Sequence, residues 1–305
     1  MSKAGALRPD PTMIGHIAEP PFARLPDPAA LFATRSLRFR TLAENHMLGP
    51  YLMFLAALSE CQHRLQNGLP EPDRPAGNAI ARAREHAMPP LDRGKFTADA
   101  ALDATFERLF ALAAGIDMPA NAREAFERVR AADAAGRSTM VASVLADAIP
   151  VDAFADHVFI AAALQVHFAR LAAGLDAKAL VPVGDGVCPG CGGAPVSSAI
   201  VGWQGSTGAR FCSCSLCATQ WHVVRVKCVL CASTKGIAYQ QLDGASPDVK
   251  AETCENCHGY VKILHQHKDP ALEPVADDVA TLGLDLLLRE AGYRRGAVNP
   301  FLLGY

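Results

Sequence analysis

Apolar positions recur at helical spacing from Asp27 onward, where an aspartate followed by Pro28 reads as an N-cap with proline at the first helical position. Pro50 opens a second helix, with Tyr51, Leu55, Leu58, Cys61 and Leu65 recurring on one face. Residues 67–78, rich in Gly and Pro, read as a loop. Leu102, Phe106, Leu109 and Phe110 then fall at i, i+4, i+7 and i+8. Ala122, Phe126 and Val129 mark the next helix, and Val141, Val144, Leu145 and Ala148 another. The longest predicted helix runs from Asp152 to Leu175, with Phe154, Val158, Ala161, Phe168, Leu171 and Leu175 on its stripe. The pattern predicts an irregular arm over 1–26 and an all-α domain over 27–180.

At residues 181–191 Pro and Gly replace this periodicity, and short β-like stretches follow at 196–201, 221–226 and 260–264. Helical spacing returns over 275–291, with Asp277 and Asp278 in the first turn, Val275, Val279, Leu282 and Leu286 on one face, and Gly292 as the stop.

Cysteine usage changes at the same boundary. Cys61 is the only cysteine before Cys188, whereas residues 212–231 hold five. Eight form C-x-x-C pairs: Cys188/Cys191, Cys214/Cys217, Cys228/Cys231 and Cys254/Cys257. A shift of 40 residues superimposes the first four on the last four, which is the signature of a tandem duplication. Two sulfurs separated by two residues can reach one metal from a single turn, and two such turns complete a tetrahedral S₄ shell. Pro189 stiffens the first turn and Gly192 allows a sharp backbone after it.

These spacings predict two rubredoxin-like or zinc-ribbon modules, at 181–227 and 228–268, and a C-terminal helix and tail at 269–305. Each module would be built around one tetrathiolate-bound metal ion, iron or zinc. The repeat favours ligation by adjacent pairs, with an interlaced grouping as the alternative. Ordering a 40-residue unit costs about 1.5 kcal/mol per residue, more than its few apolar side chains offset. A structural S₄ metal contributes on the order of 10 kcal/mol, so each unit is expected to depend on its ion. Cys61 reads as a core residue and Cys212 as an inert thiol outside the four pairs.

Half of the 305 residues are hydrophobic and a fifth are charged, ample for a packed core. No stretch reads as a secretory signal or a membrane span, so a cytoplasmic protein without membrane insertion is expected. Thiols are kept reduced there and more often bind metal or do redox work than form disulfides. The formal net charge is -2. Residues 188–268 carry seven Lys/Arg against four Asp/Glu, and two tetrathiolate centres would reverse that excess. A zinc-ribbon nucleic-acid binder is therefore the weaker alternative, because phosphate binding needs accumulated positive charge. Thioredoxin-like chemistry needs a cysteine opening a helix, and none of the four pairs does so. His222, His265 and His267 lack a partner set at catalytic spacing, and no hydrolase signature or phosphate loop is present. No catalytic residue is expected, and Trp203 and Trp221 read as ribbon core.

Beyond these local patterns, the run of motifs is distinctive. In order they are LPDPAALFATRSLRFRTLAENHMLGPYLMFLAALSECQ, CPGCGGAPVSSAIV, CSLCATQWHVVRVKCVLC, AETCENCHGYVKIL, KDPALEPVADDVATLGLDLLL and NPFLLGY. Together they resemble the FdhE family of formate dehydrogenase accessory proteins, over nearly the whole chain. The resemblance implies a helical N-terminal domain followed by two rubredoxin-like modules that can hold iron. It implies a non-enzymatic cytoplasmic factor that contacts the formate dehydrogenase catalytic subunit and stays outside the mature enzyme. By position, Cys188, Cys191, Cys214, Cys217, Cys228, Cys231, Cys254 and Cys257 become metal ligands. Cys212 departs from the four-pair pattern and leaves the ligand choice at the second pair slightly open. An iron-dependent redox protein acting on the immature enzyme is the other reading compatible with this motif set.

Overall fold

The computed structural model describes residues 19–203, 206–244 and 246–302. Most of the predicted arm and the last three residues of the NPFLLGY motif lie outside them. Seven helices come first: α1 (Pro28–Ala43), α2 (Gly49–Leu65), α3 (Gly77–Glu85), α4 (Ala100–Ala113), α5 (Ala120–Ala131), α6 (Ala134–Leu145) and α7 (Phe154–Ala173). Asp27 accepts a hydrogen bond from the Ala29 N–H with Pro28 in the first turn, as its sequence position predicts. Asp99 and Asp133 cap α4 and α6 in the same way.

Helix α7 is apolar almost all round and nearly fully buried, so it is the axis of the bundle. It packs against α1, α2, α4, α5 and α6. Phe159 joins Phe54 of α2 to Phe126 of α5 through ring contacts at 5.9 and 5.2 Å. Helix α3 was not predicted, and the reason is physical: none of its residues is buried, so no apolar stripe marks it.

The cysteine-rich half forms one continuous sheet. Its strands are β1 (Ala23–Arg24), β2 (Pro195–Trp203), β3 (Ser206–Cys214), β4 (Gln220–Val223), β5 (Ile237–Gln240), β6 (Val249–Cys254), β7 (Gly259–Leu264) and β8 (Arg294–Arg295). The order is β1-β4-β3-β2-β7-β6-β5, with β8 also paired to β7. The repeat is visible in three dimensions, since β2–β4 and β5–β7 are equivalent meanders. They join through parallel pairing of β2 and β7, in the register Ser197 to Lys262 and Ala199 to Leu264.

Beneath that seam lies the largest fully buried side chain. Arg210 of β3 donates bidentately to Glu252 of β6 at 2.7 and 3.0 Å and also to Ser198 Oγ and the Arg225 carbonyl. A charge from each unit is thus neutralised by the other.

Residues 23 and 24, placed by sequence in an irregular arm, form an edge strand on β4, because β4 offers an unpaired backbone edge there. The Arg24 guanidinium lies 4.0 Å from the Phe211 ring centroid and 5.2 Å from that of Trp203. Trp221 is buried and Trp203 half-buried.

The predicted C-terminal helix is broken into α8 (Ala276–Ala280) and α9 (Leu282–Glu290). Buried Lys262 causes the break by drawing the carbonyls of Asp278 and Thr281 to its ammonium at 2.7 and 3.2 Å. The phase of the apolar face shifts with it, and α9 buries Leu284 and Leu288 in place of the predicted Leu286. Asp277 and Asp278 do more than favour a helix start. Asp277 pairs with Arg38 of α1, while Asp278 meets Arg295, Lys262 and Asn299. Glu273 caps the backbone N–H groups of Val275 and Ala276 and pairs with buried Arg35. These contacts fasten the C-terminal segment to both the bundle and the sheet.

Candidate metal centres

Each C-x-x-C pair occupies a tight turn, which we number as knuckles one to four in chain order. In the first, Cys188 N–H donates to the Gly193 carbonyl at 2.7 Å and Gly192 N–H to the Cys188 carbonyl at 2.9 Å. The third repeats this pattern, from Cys228 to Ser233 at 2.8 Å and from Ala232 to Cys228 at 3.0 Å. In all four, the residue after the second cysteine is left-handed: Gly192, Ala218, Ala232 and His258. Only the first is glycine, and the sequence marked only that one. An alanine or histidine there accepts backbone strain of roughly 1–2 kcal/mol.

The turns bring the cysteines together in adjacent pairs, as the repeat predicts. Cys188, Cys191, Cys214 and Cys217 form one group and Cys228, Cys231, Cys254 and Cys257 the other, with every sulfur of a group within 4.8 Å of the rest. Cys188 and Cys217 sulfurs lie 3.6 Å apart, and Cys191 and Cys214 sulfurs 3.4 Å. The equivalent separations in the second group are 3.8 and 3.7 Å. A tetrahedral ion with metal–sulfur bonds of about 2.3 Å requires sulfurs roughly 3.8 Å apart, so both groups fit a zinc or iron tetrathiolate. A disulfide would require about 2.05 Å.

The ionisation pattern agrees with this donor set. Burial pushes Cys188 upward, whereas hydrogen bonds from the other three thiols hold Cys214 well down. Burial likewise pushes Cys228 up to about 12, while the Ser233 backbone N–H lowers Cys231 to about 7. Four convergent thiols cannot all ionise without a cation among them. Cys212 and Cys61 belong to neither group. Burial raises them to about 12 and about 11, which makes them poor nucleophiles. His222 packs edge-on against Phe211 and His265 edge-on against His267, and neither group of four includes a histidine.

The two centres differ in their surroundings. The first is held by the helical domain on both sides. Leu91 and Arg93 donate backbone N–H groups to Gly190 and Cys191, and Gln165 of α7 donates to the Ser215 carbonyl. The Arg93 guanidinium sits beside Cys191 and Cys214 and is paired with Asp147, which places positive charge next to the thiolates. Thr219 Oγ1 lies 3.2 Å from Cys217 Sγ. At the second centre, Asn256 donates to Cys231 Sγ at 3.6 Å and the strand β8 covers the His258 carbonyl. Sequence reasoning missed Arg93, Gln165, Thr219 and Asn256. The available signal was the contrast between the repeats, C-S-L-C facing the bundle and C-E-N-C facing solvent.

Comparison with known proteins decides the relationship. The FdhE N-terminal, central and C-terminal domain families match residues 20–185, 187–225 and 226–302. The chain belongs to the FdhE family. An FdhE homolog of Rhizobium meliloti is 46% identical over 98% of this chain and 98% of its own length. FdhE of Escherichia coli is 37% identical over 89% of this chain and 88% of its own length. The crystal structure of FdhE from Pseudomonas aeruginosa superimposes with a TM-score of 0.82 at 34% identity, covering 93% of this chain and 98% of that one. No helix among the described residues is long and apolar enough to cross a membrane.

Proposed function

We propose that this FdhE-family protein is a cytoplasmic assembly factor for formate dehydrogenase, binding the immature catalytic subunit and remaining outside the finished enzyme. The observation that carries this reading is membership of the family over nearly the whole chain, with both groups of four cysteines intact. The eight paired cysteines, Cys188, Cys191, Cys214 and Cys217 with Cys228, Cys231, Cys254 and Cys257, are its metal ligands. The ions supply folding free energy and fixed geometry when bound. The chain's own contribution is a shaped surface: ion pairs from Arg35 and Arg38 to the C-terminal segment hold the bundle and the sheet as one body. The outer faces of the bundle and of the metal modules present that surface to the client.

The test is a strain lacking this protein, assayed for formate dehydrogenase activity and complemented with the intact chain. Loss of activity in the deletion, its restoration, and co-purification with the catalytic subunit are expected. Undiminished activity in the deletion strain would refute the assignment. Elemental analysis of anaerobically purified protein should find two ions per chain, as iron or zinc.

A further inference from the structure

The duplicated units have unequal surroundings, and this inequality carries a distinction in how they hold metal. At the first centre every ligand is 0–2% exposed. The turn residues Pro189, Gly190 and Leu216 are buried as well. Both of its knuckles are pinned from outside the sheet, the first by the backbone N–H groups of Leu91 and Arg93 and the second by the side-chain amide of Gln165. A side chain on Gly192 would meet Pro89 at 3.2 Å, which shows how closely the 89–93 segment lies over this turn.

At the second centre Cys228 and Cys254 are buried, but Cys231 and Cys257 reach solvent. In its third turn Val229 is buried like Pro189 and Leu230 half-buried, but in the fourth turn Glu255, Asn256 and His258 are exposed where their counterparts Ser215, Leu216 and Ala218 are half-buried or buried. Leu230 closes the inner side by packing on Gly259 and Gly296. One edge, formed by Cys231 and Cys257, is therefore open.

We propose that the two centres have separate tasks: the first is a permanent structural ion, and the second exchanges its ion with external soft donors through the Cys231–Cys257 edge. This rests on the metal-binding reading above. The step is an associative ligand substitution. Cys231 and Cys257 would hold the exposed side of the ion, so an external thiolate or nitrogen donor would take the place of Cys231 Sγ, whose released thiolate would take a proton from solvent. The ion keeps its oxidation state throughout. At the first centre no such donor can approach without displacing the 89–93 segment or α7, because packed side chains control solvent access to a metal.

The experiment uses the full-length protein loaded with two zinc ions and an excess of the chromogenic chelator 4-(2-pyridylazo)resorcinol. Release should occur in two phases of equal amplitude, the first faster by about tenfold or more. Iodoacetamide added at the end of the fast phase should label Cys228, Cys231, Cys254 and Cys257 and spare the other four ligands. Asn256→Ala should accelerate only the fast phase and Arg93→Gln only the slow one. A single phase carrying both ions, or early labelling of Cys188 or Cys191, would overturn the assignment while leaving the metal reading intact. Protein purified with no ion, and unable to take up any, would overturn both.

Discussion

Replacing Arg210 with methionine tests whether the two metal units form one cooperative body. Arg210 is 1% and Glu252 3% exposed, and the pair spans the seam between the duplicated meanders. The methionine side chain would fill most of the space but strip the Glu252 carboxylate of its bidentate cation, while the bond it accepts from Tyr239 Oη at 3.2 Å remains. The hydrogen bond from Arg210 to the Arg225 carbonyl, in the linker between the units, would be lost as well. Removing one member of a buried pair costs about 3–5 kcal/mol, whereas an exposed pair contributes about 0–1 kcal/mol. Urea unfolding of the metal-loaded protein, followed by fluorescence of Trp203 and Trp221, reads this directly, because both tryptophans lie in the first unit. The double variant Arg210→Met, Glu252→Leu should recover most of the loss, since the second change removes the stranded charge. A cost below about 1 kcal/mol for the single variant would refute the argument. So would additive losses in the double variant, because the pair would then not act across the seam.

Further expectations can be checked independently. Cys188→Ser and Cys254→Ser should each remove one ion by elemental analysis and unfold the turn concerned, whereas Cys61→Ser should retain both ions and cost only about 1–3 kcal/mol for a buried hydroxyl. His167 is fully buried among Phe96 and Phe168, and burial lowers its pKa, so the unfolded chain binds a proton that the folded chain resists. Stability from this group is complete above the ordinary histidine value and falls as pH drops below it, by at most about 1.4 kcal/mol per pH unit. Denaturation midpoints between about pH 7.5 and 5.5 should therefore show a slope that His167→Phe reduces. Ala232→Gly should relieve left-handed strain at the third knuckle and raise stability by up to about 1 kcal/mol, while the same substitution at Ala120, the first residue of α5, should destabilise.

What could be read from the chain was written in short-range signals. The 40-residue cysteine repeat favoured grouping by adjacent pairs over an interlaced grouping, and the structure brings the sulfurs together in adjacent pairs. Periodicity located the buried helices α1, α2 and α4–α7, whose apolar faces are continuous. The same reasoning passed over α3, which has no buried face, the short β1, β5 and β8, and also β3 and β6, whose buried positions include the polar Arg210, Ser213, Glu252 and Thr253 and so carry no apolar alternation.

By itself, then, the sequence determined the four C-x-x-C pairs, the helical identity of the first half and the duplicated β units of the second. Tertiary structure alone decided how those units were used. The parallel seam between β2 and β7 joins residues more than sixty positions apart and made one sheet of two ribbons. Lys262, reaching into carbonyls from a different strand, divided the terminal helix. Docking of the helical domain against the first centre alone left two near-identical thiol sets in unequal environments, because burial depends on what packs over a turn and local sequence specifies only the turn.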